Sequence, residues 1–158
     1  MYKRQEAARL VGVKSFPPVY DVQSSDGTNL GWALNTAHLA NRIQGYQGPI
    51  DVLIALNPDR KTLVGVKIRK SYDNARYVED VIFEKYFFRK FENLEVTSFL
   101  GKDYTEHGID GVSGATMTSY ALAEAVALTL QEEEASEATN RISLSIDFKA
   151  RDLSLIHI

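Results

Sequence analysis

The residues of this chain whose types and spacing suit chemistry lie together in the sequence DGVSGATMTS at residues 110–119. Two hydroxyl side chains, Ser113 and Thr116, stand in a turn of small residues that leads into an alanine-rich apolar run. If that run is a helix, its first turn offers backbone N–H groups without partners and the positive end of the helix dipole. Such a junction binds anions, and its hydroxyls can cap the helix, hydrogen-bond a phosphate or carry one covalently.

A purely structural role is the alternative for this segment. Small residues are common at the starts of helices, and a capping serine or threonine needs no ligand. The wider pattern favours a functional role, because Asp110 precedes Ser113 by three positions and a further hydroxyl follows at Thr118. We therefore interpret the segment as a binding site for an anionic group.

Composition argues against several other kinds of chemistry. The 158 residues include no cysteine, which removes disulfides, thiolate nucleophiles and cysteine-ligated zinc or iron–sulfur centres. A net charge of −3 argues against a dedicated nucleic-acid binder. The three histidines, at positions 38, 107 and 157, are too far apart to suggest a ligand set, and dinucleotide, Walker and Gly-x-Ser-x-Gly signatures are missing. We predict no catalytic residue and no metal ligand.

Nothing in the sequence predicts a membrane span or a leader. No apolar stretch approaches the roughly 18–20 residues that cross a bilayer, and residues 1–6 lead into no apolar region. Both ends, at residues 1–5 and 153–158, resemble translated sequencing-adapter stretches. We therefore expect the chain to be a fragment of a longer protein, so that a missing leader or membrane helix carries little weight.

Two β-hairpins are expected upstream of the segment. An Asp-Gly turn at residues 26–27 joins two extended segments and predicts a hairpin over residues 18–36. An Asn-Pro-Asp turn joins the apolar run at residues 50–56 to a strand over residues 62–68, which predicts the second hairpin. In that last strand the alternation predicts an apolar face made of Val64, Val66 and Ile68.

Helices and two further strands complete the expected fold. The apolar pattern over residues 74–91 predicts one aromatic-rich helix, and the run at residues 118–130 predicts another. Residues 94–100 and 141–148 are predicted strands, and the acidic run at residues 132–134 is predicted to be a frayed, solvated helix end. The expected fold class is α+β, with antiparallel β-hairpins forming a sheet packed with two main helices in a single domain.

The sequence at residues 110–116 resembles the flavinylation motif of FMN-binding domains found in electron-transfer complexes. In that motif an aspartate, two free positions, a serine or threonine and then Gly-Ala-Thr precede a helix, and every fixed position is present here. The sequences at residues 45–56 and 63–68 also look like the hairpin that lies upstream of the motif in this family.

The relatives fall into several branches. They include one subunit of the sodium-translocating NADH:quinone oxidoreductase, one subunit of the Rnf complex, and the N-terminal domain of NosR-type regulators of nitrous-oxide reduction. The sequences PPVY at residues 17–20 and GYQG at residues 45–48 are most similar to the NosR-type branch.

This resemblance implies a domain boundary, a cofactor and a function. The FMN-binding domain is expected over residues 16–131, between an N-terminal tail at residues 1–15 and an acidic helix end with a strand or tail at residues 132–158. Thr116 would carry FMN through a phosphoester, installed from FAD by a separate flavin transferase whose divalent metal belongs to that enzyme. The implied function is electron transfer with redox partner subunits of a membrane complex, on the extracytoplasmic side of a bacterial membrane.

The resemblance also implies which other residues serve the cofactor. Small side chains before the attachment residue let the phosphate approach, and an aromatic ring can stack on the isoalloxazine. The implied residues are Asp110, which presents the motif to the transferase, Ser113, Gly114 and Ala115 at the phosphate, Thr118 at the phosphate or the helix start, and Tyr46 or Trp32 at the ring.

The sequence departs from the family pattern at residues 69–76, where many relatives carry a Glu-(Thr or Pro)-Pro-Gly segment. This segment is expected to lie on one side of the flavin. The roles of the family's residues in it are therefore not assigned to residues of this chain. Two alternatives stay open beside the covalent carrier. One is a domain that binds FMN without a covalent bond, and the other is a non-redox interaction or sensory module in which the motif is structural.

Overall fold

The structure, a computed structural model, describes residues 9–13 and 17–156, and the side chains of residues 9–12 and 17–137. Its centre is a six-stranded antiparallel sheet whose strands lie side by side in chain order. The strands are β1 (Arg9–Val13), β2 (Val19–Gln23), β3 (Asn29–Asn35), β4 (Ile50–Leu56), β5 (Thr62–Ser71) and β6 (Leu94–Glu95). Both predicted hairpins and the α+β class are confirmed, whereas sequence reasoning missed β1, which pairs with β2.

Within the part of the chain that the structure describes, four helices accompany the sheet. They are α1 (Ala75–Phe83), α2 (Lys85–Arg89), α3 (Val96–Leu100) and α4 (Thr116–Ile156), with 3₁₀ turns at Ala37–Leu39 and Tyr104–His107. Within the described residues, none of these helices combines the length and the apolar character needed to cross a membrane.

Helix α4 packs against β4 and against α1 and α3. Its residues at four-residue spacing, Leu122, Val126 and Leu130, are fully buried, as their pattern predicts. Burying each of these side chains contributes about 1.5–3 kcal/mol relative to leaving it exposed. Buried Ala123 and Ala125 add little bulk, which lets the helix lie close to its neighbours.

The predicted apolar face of β5 is wrong at one position. The register between β4 and β5 shifts beside Leu56, which pairs with Leu63, so a β-bulge interrupts the alternation. The bulge turns Leu63 into the core and leaves Val64 48% exposed. Val66 and Ile68 pack against the core, as predicted.

The single helix predicted over residues 74–91 is two helices separated at Glu84. Val81 and Phe87 are both buried. Six residues apart, they would point about 120° away from each other around one straight helix. The break at Glu84 allows α1 and α2 to turn these side chains into the same core.

The strand predicted over residues 94–100 is mostly helical. Only its first two residues pair with β5, as β6. From Val96 the chain forms α3, and Val96 and Phe99 are both buried. Their three-residue spacing places them on one helical face, which alternation would not.

Helix α4 is longer than predicted, and the strand predicted over residues 141–148 is wrong. These residues continue α4, which ends at Ile156. No glycine or proline follows Gly114 in the sequence, so nothing there ends the helix strongly. The absence of a helix-terminating residue is therefore a stronger signal here than the alternation of apolar residues.

The acidic run at residues 132–134 is also not a frayed helix end, because it fastens α4 to the rest of the domain. Glu132 lies 2.7 Å from the His38 ring and 3.2 Å from Arg42. Glu133 is only 5% exposed and lies 3.0 Å from Arg60. Burial raises the pKa of Glu133 and nearby Glu137 raises it further, against the opposing effect of Arg60.

Arg60→Ala is expected to lower the free energy of unfolding by about 2 kcal/mol near neutral pH, because the buried Glu133 carboxylate loses the cation that donates a hydrogen bond to it. Without Arg60 the pKa of Glu133 rises further, and a raised folded-state pKa costs stability only where the carboxylate is ionised. The loss should therefore shrink as pH falls through that pKa. Urea unfolding at about pH 7 and about pH 5 measures this.

Arg42→Ala is the matched control for this comparison. Arg42 is 62% exposed where it meets Glu132, so its removal should cost less than about 0.5 kcal/mol. Equal losses in the two variants, or a loss in Arg60→Ala that grows as pH falls, would contradict the role given to Arg60.

Candidate functional site

The predicted motif forms a tight turn in front of α4. The Ala115 N–H donates to the Val112 carbonyl at 2.9 Å, and Ser113 and Gly114 are exposed at the tip between them. Gly114 has a φ of +82°, a left-handed conformation that glycine adopts without strain. Thr116 follows as the first residue of α4.

Ser119 fastens this turn to the helix, and sequence reasoning missed it. The Ser119 hydroxyl is fully buried, accepts from the Val112 N–H at 3.0 Å and donates to the Thr116 carbonyl at 3.0 Å. The Ser119 N–H donates to the Ala115 carbonyl at 3.0 Å. A serine three residues after a helix start can make this backward bond, which is the signal that could have found it.

The amino-terminal end of α4 has unused donors. Ala115 occupies the capping position, and its methyl group cannot accept a hydrogen bond. Among the described residues, no acceptor bonds to the N–H of Thr116, Met117 or Thr118. Three donors together with the positive end of the helix dipole are the arrangement that binds a phosphate.

A cleft of about 190 Å³ lies beside these donors. Residues 114–118 line it together with Tyr46 and Tyr77, whose rings meet edge to face with centroids 4.9 Å apart. The Thr116 side chain is exposed in this cleft. The structure therefore places an accessible hydroxyl, free backbone donors and aromatic rings at one position, and adds Tyr77 to the residues that the sequence predicted.

Asp73 joins the loop that carries Tyr46 to the first turn of α4. One carboxylate oxygen, Oδ2, accepts from the Thr118 hydroxyl at 2.7 Å and the Tyr46 N–H at 3.1 Å. The other, Oδ1, accepts from the N–H groups of Gln47 at 2.7 Å and Asn74 at 2.8 Å. Burial alone would raise the pKa of Asp73, but these hydrogen bonds outweigh it and hold the pKa below its usual value.

Two glycines allow the loop at residues 45–48 to close around this carboxylate. A Cβ on Gly45 would lie 2.0 Å from Asp73 Oδ2, and a Cβ on Gly48 would lie 2.3 Å from the Tyr72 carbonyl oxygen. Neither position has room for a side chain. The two glycines of the GYQG sequence are therefore required by the packing of this loop.

Three polar residues of the predicted site lie outside the cleft or face away from it. Ser113 does not line the cleft and borders a different depression together with Asp110. Asp110 is exposed beside the turn, with its carboxylate 3.8 Å from Lys90 Nζ. The Thr118 side chain is buried, and its hydroxyl is directed to Asp73. Its contribution toward the cleft is its backbone N–H.

Of the two aromatic residues named for stacking on a ring, Tyr46 or Trp32, one lies in the cleft. Tyr46 lines the cleft and is 54% exposed. Trp32 does not line it. The guanidinium of Arg60 covers the Trp32 ring at 3.8 Å, and the indole N–H donates to the Pro58 carbonyl at 2.9 Å.

Comparison with known families places this geometry in context. Residues 45–131, from the Tyr46 loop through the buried part of α4, match the profile of the FMN-binding domain, and this is more than half of the chain. The chain belongs to the FMN-binding domain family. Its cofactor is FMN. No curated protein is significantly similar to the chain.

The residues of this FMN-binding domain fit the cofactor. The unused N–H groups of α4 suit its phosphate, and the rings of Tyr46 and Tyr77 suit the flat isoalloxazine. When bound, FMN supplies redox chemistry, while the protein sets its orientation and electrostatics. The described residues contain no cluster of carboxylates and histidines that would hold a metal ion.

Ser119→Ala is expected to lower the free energy of unfolding by about 1–3 kcal/mol, because the buried Val112 N–H loses its acceptor. Ser98→Ala is the matched control, since Ser98 is exposed on α3 and its change should stay within about 0.5 kcal/mol. Urea unfolding of both variants, followed by circular dichroism, measures the difference. Equal stabilities would show that Ser119 does not hold the turn.

Proposed function

We propose that this FMN-binding domain is an electron carrier with FMN attached covalently to Thr116 through a phosphoester. The observation that supports the proposal best is the exposed Thr116 hydroxyl beside three backbone N–H groups that have no acceptor in the described structure. A phosphate held by these donors lies next to the oxygen that would carry it. The match to the flavinylation motif at residues 110–116 points to the same residue.

Attachment requires a separate flavin transferase and FAD. The Thr116 hydroxyl oxygen attacks the phosphorus on the FMN side of the FAD pyrophosphate, so a new O–P bond forms. The bond from that phosphorus to the bridging oxygen breaks, AMP leaves, and the hydroxyl proton passes to a base of the transferase. Asp110 lies exposed beside the turn, where it can contact that enzyme.

The residues around the attachment site hold the phosphate and the flavin ring in place. The N–H groups of Thr116, Met117 and Thr118 offset the negative charge of the phosphate. Exposed Ser113 and Gly114 leave space at the turn, and Tyr46 offers a ring for stacking. A phosphoester is remote from the redox-active ring and prevents dissociation, which suits a carrier. We assign no independent substrate turnover to this domain.

We further propose that the domain serves a membrane-associated redox system on the extracytoplasmic side of a bacterial membrane, with redox partner subunits in that complex. The support is the similarity of residues 17–20 and 45–48 to the NosR-type branch. Covalent attachment is consistent with this setting, because a bound flavin cannot be lost where free FMN is scarce.

Non-covalent FMN binding is the second candidate function. The same unused donors of α4 would bind the phosphate of free FMN equally well. The two candidates differ in one respect, which is whether flavin stays with the chain after denaturation.

Thr116→Val tests the attachment. The chain is expressed with a flavin transferase and FAD, denatured, and analysed by intact mass spectrometry. The wild-type chain is expected to retain the mass of one FMN phosphoester, and Thr116→Val is expected to lose it completely, because valine has no oxygen to bond.

Thr97→Val is the matched control, since Thr97 is an exposed threonine in the first turn of α3. It should keep the full adduct. Flavin that is released on denaturation of the wild type would favour non-covalent binding. If the wild-type chain carries no flavin despite an active transferase, the result would favour the non-redox interaction or sensory module.

A further inference from the structure

We propose that Asp73 positions the flavin-contacting loop and lowers the reduction potential of the bound flavin through its fixed negative charge. The inference rests on the proposed function, because it concerns FMN held at Thr116. It assigns a role to a residue in the segment at residues 69–76, where this sequence departs from the pattern of its relatives.

The position of Asp73 follows from its hydrogen bonds. The carboxylate bonds to the Thr118 hydroxyl, and Thr118 lies two residues, or about 3 Å along the helix axis, from Thr116. The same carboxylate bonds to the Tyr46 N–H, and Tyr46 lines the cleft. Asp73 therefore lies between the two chain segments that border the cleft and fixes their separation.

Asp73 is partly buried, and its partners differ from those of the buried carboxylates Asp51 and Glu133. Asp51 is paired with Arg69, and Glu133 is paired with Arg60, so each of those charges has a cation beside it. The bonds that Asp73 makes come from neutral donors, three backbone N–H groups and one hydroxyl. Neutral donors stabilise the ionised form but leave its net charge in place, so its field reaches the cleft.

A fixed negative charge beside a flavin opposes its reduction. At neutral pH, two-electron reduction brings two electrons and one proton to the isoalloxazine, which thereby gains one negative charge. Repulsion between this charge and the Asp73 carboxylate disfavours the reduced form. The protein tunes the cofactor in this way, through charge placed near the ring.

The test is the midpoint potential of the flavinylated chain, measured by anaerobic titration with dithionite against a reference dye. Asp73→Asn removes the charge and keeps the size of the side chain. We expect it to favour the reduced flavin about tenfold, which is a rise of about 30 mV for a two-electron couple. An unchanged or lower potential in Asp73→Asn would overturn the inference.

Ser71→Ala separates the charge from the positioning. It removes the hydroxyl that accepts a hydrogen bond from the Asp73 N–H at 3.1 Å and leaves the negative charge of Asp73 in place. We expect the equilibrium constant for flavin reduction in Ser71→Ala to stay within about threefold of the wild type, which is about 15 mV in potential. An equal rise in Ser71→Ala and Asp73→Asn would show that loosened geometry, rather than charge, sets the potential, and would also overturn the inference.

Intact mass after denaturation is recorded for every sample, so failure of attachment is seen separately from failure of tuning. A wild-type chain without the adduct contradicts the proposed function and overturns the inference with it, because the inference concerns FMN held at Thr116. If Asp73→Asn alone loses the adduct, Asp73→Ser replaces it, because a serine hydroxyl is neutral and still accepts a hydrogen bond. Asp73→Ser must then show the same upward shift, and an unchanged potential in it would overturn the inference.

Discussion

The packing of α4 on the sheet is the constraint on which the site depends. Buried Leu122, Val126 and Leu130 fix the rotation of the helix about its axis. With about 3.6 residues per turn, that rotation also decides the direction of every side chain in the first turn. Thr118 and Ser119 therefore face inward and are buried, whereas Thr116 and Met117 face solvent.

The two ends of this packed region are stabilised differently. At residues 132–133 the carboxylates of α4 meet the cations Arg42 and Arg60 and the ring of His38. At the amino-terminal end, among the described residues, the helix has neither a side-chain cap nor a cation in the cleft lining, and its N–H groups are unused. A helix end that is held in place yet lacks partners is a binding site for an anion, because the polar groups are already oriented before the ligand arrives.

Sequence reasoning predicted the parts of the site that depend on local chemistry. The motif at residues 110–116 and the two hairpins carry their signals within a few residues of one another. Asp73 was missed because its contact with Thr118 spans 45 residues of sequence, and Tyr77 was missed because aromatic residues in a helix usually belong to the core. Such contacts follow from the tertiary arrangement, which a single sequence pattern does not contain.

The errors in the fold have the same origin. The bulge beside Leu63 allows that side chain to pack in the core, where a regular strand would not direct it. The break at Glu84 does the same for Val81 and Phe87, which one straight helix would point in different directions. The alternation at residues 141–148 suggested a strand, but the helix continues where no glycine or proline stops it. In each case packing or continuity outweighed the local periodicity.

The central claim is that Thr116 carries FMN, and mapping the adduct by peptide fragmentation tests it most directly. Complete trypsin cleavage of the denatured, flavinylated chain releases one peptide over residues 103–141, which contains the whole motif. We predict that fragment ions locate the FMN phosphoester on Thr116, with Ser113, Thr118 and Ser119 unmodified. An adduct on any of those three residues, or an unmodified peptide from a sample exposed to an active transferase, would contradict it.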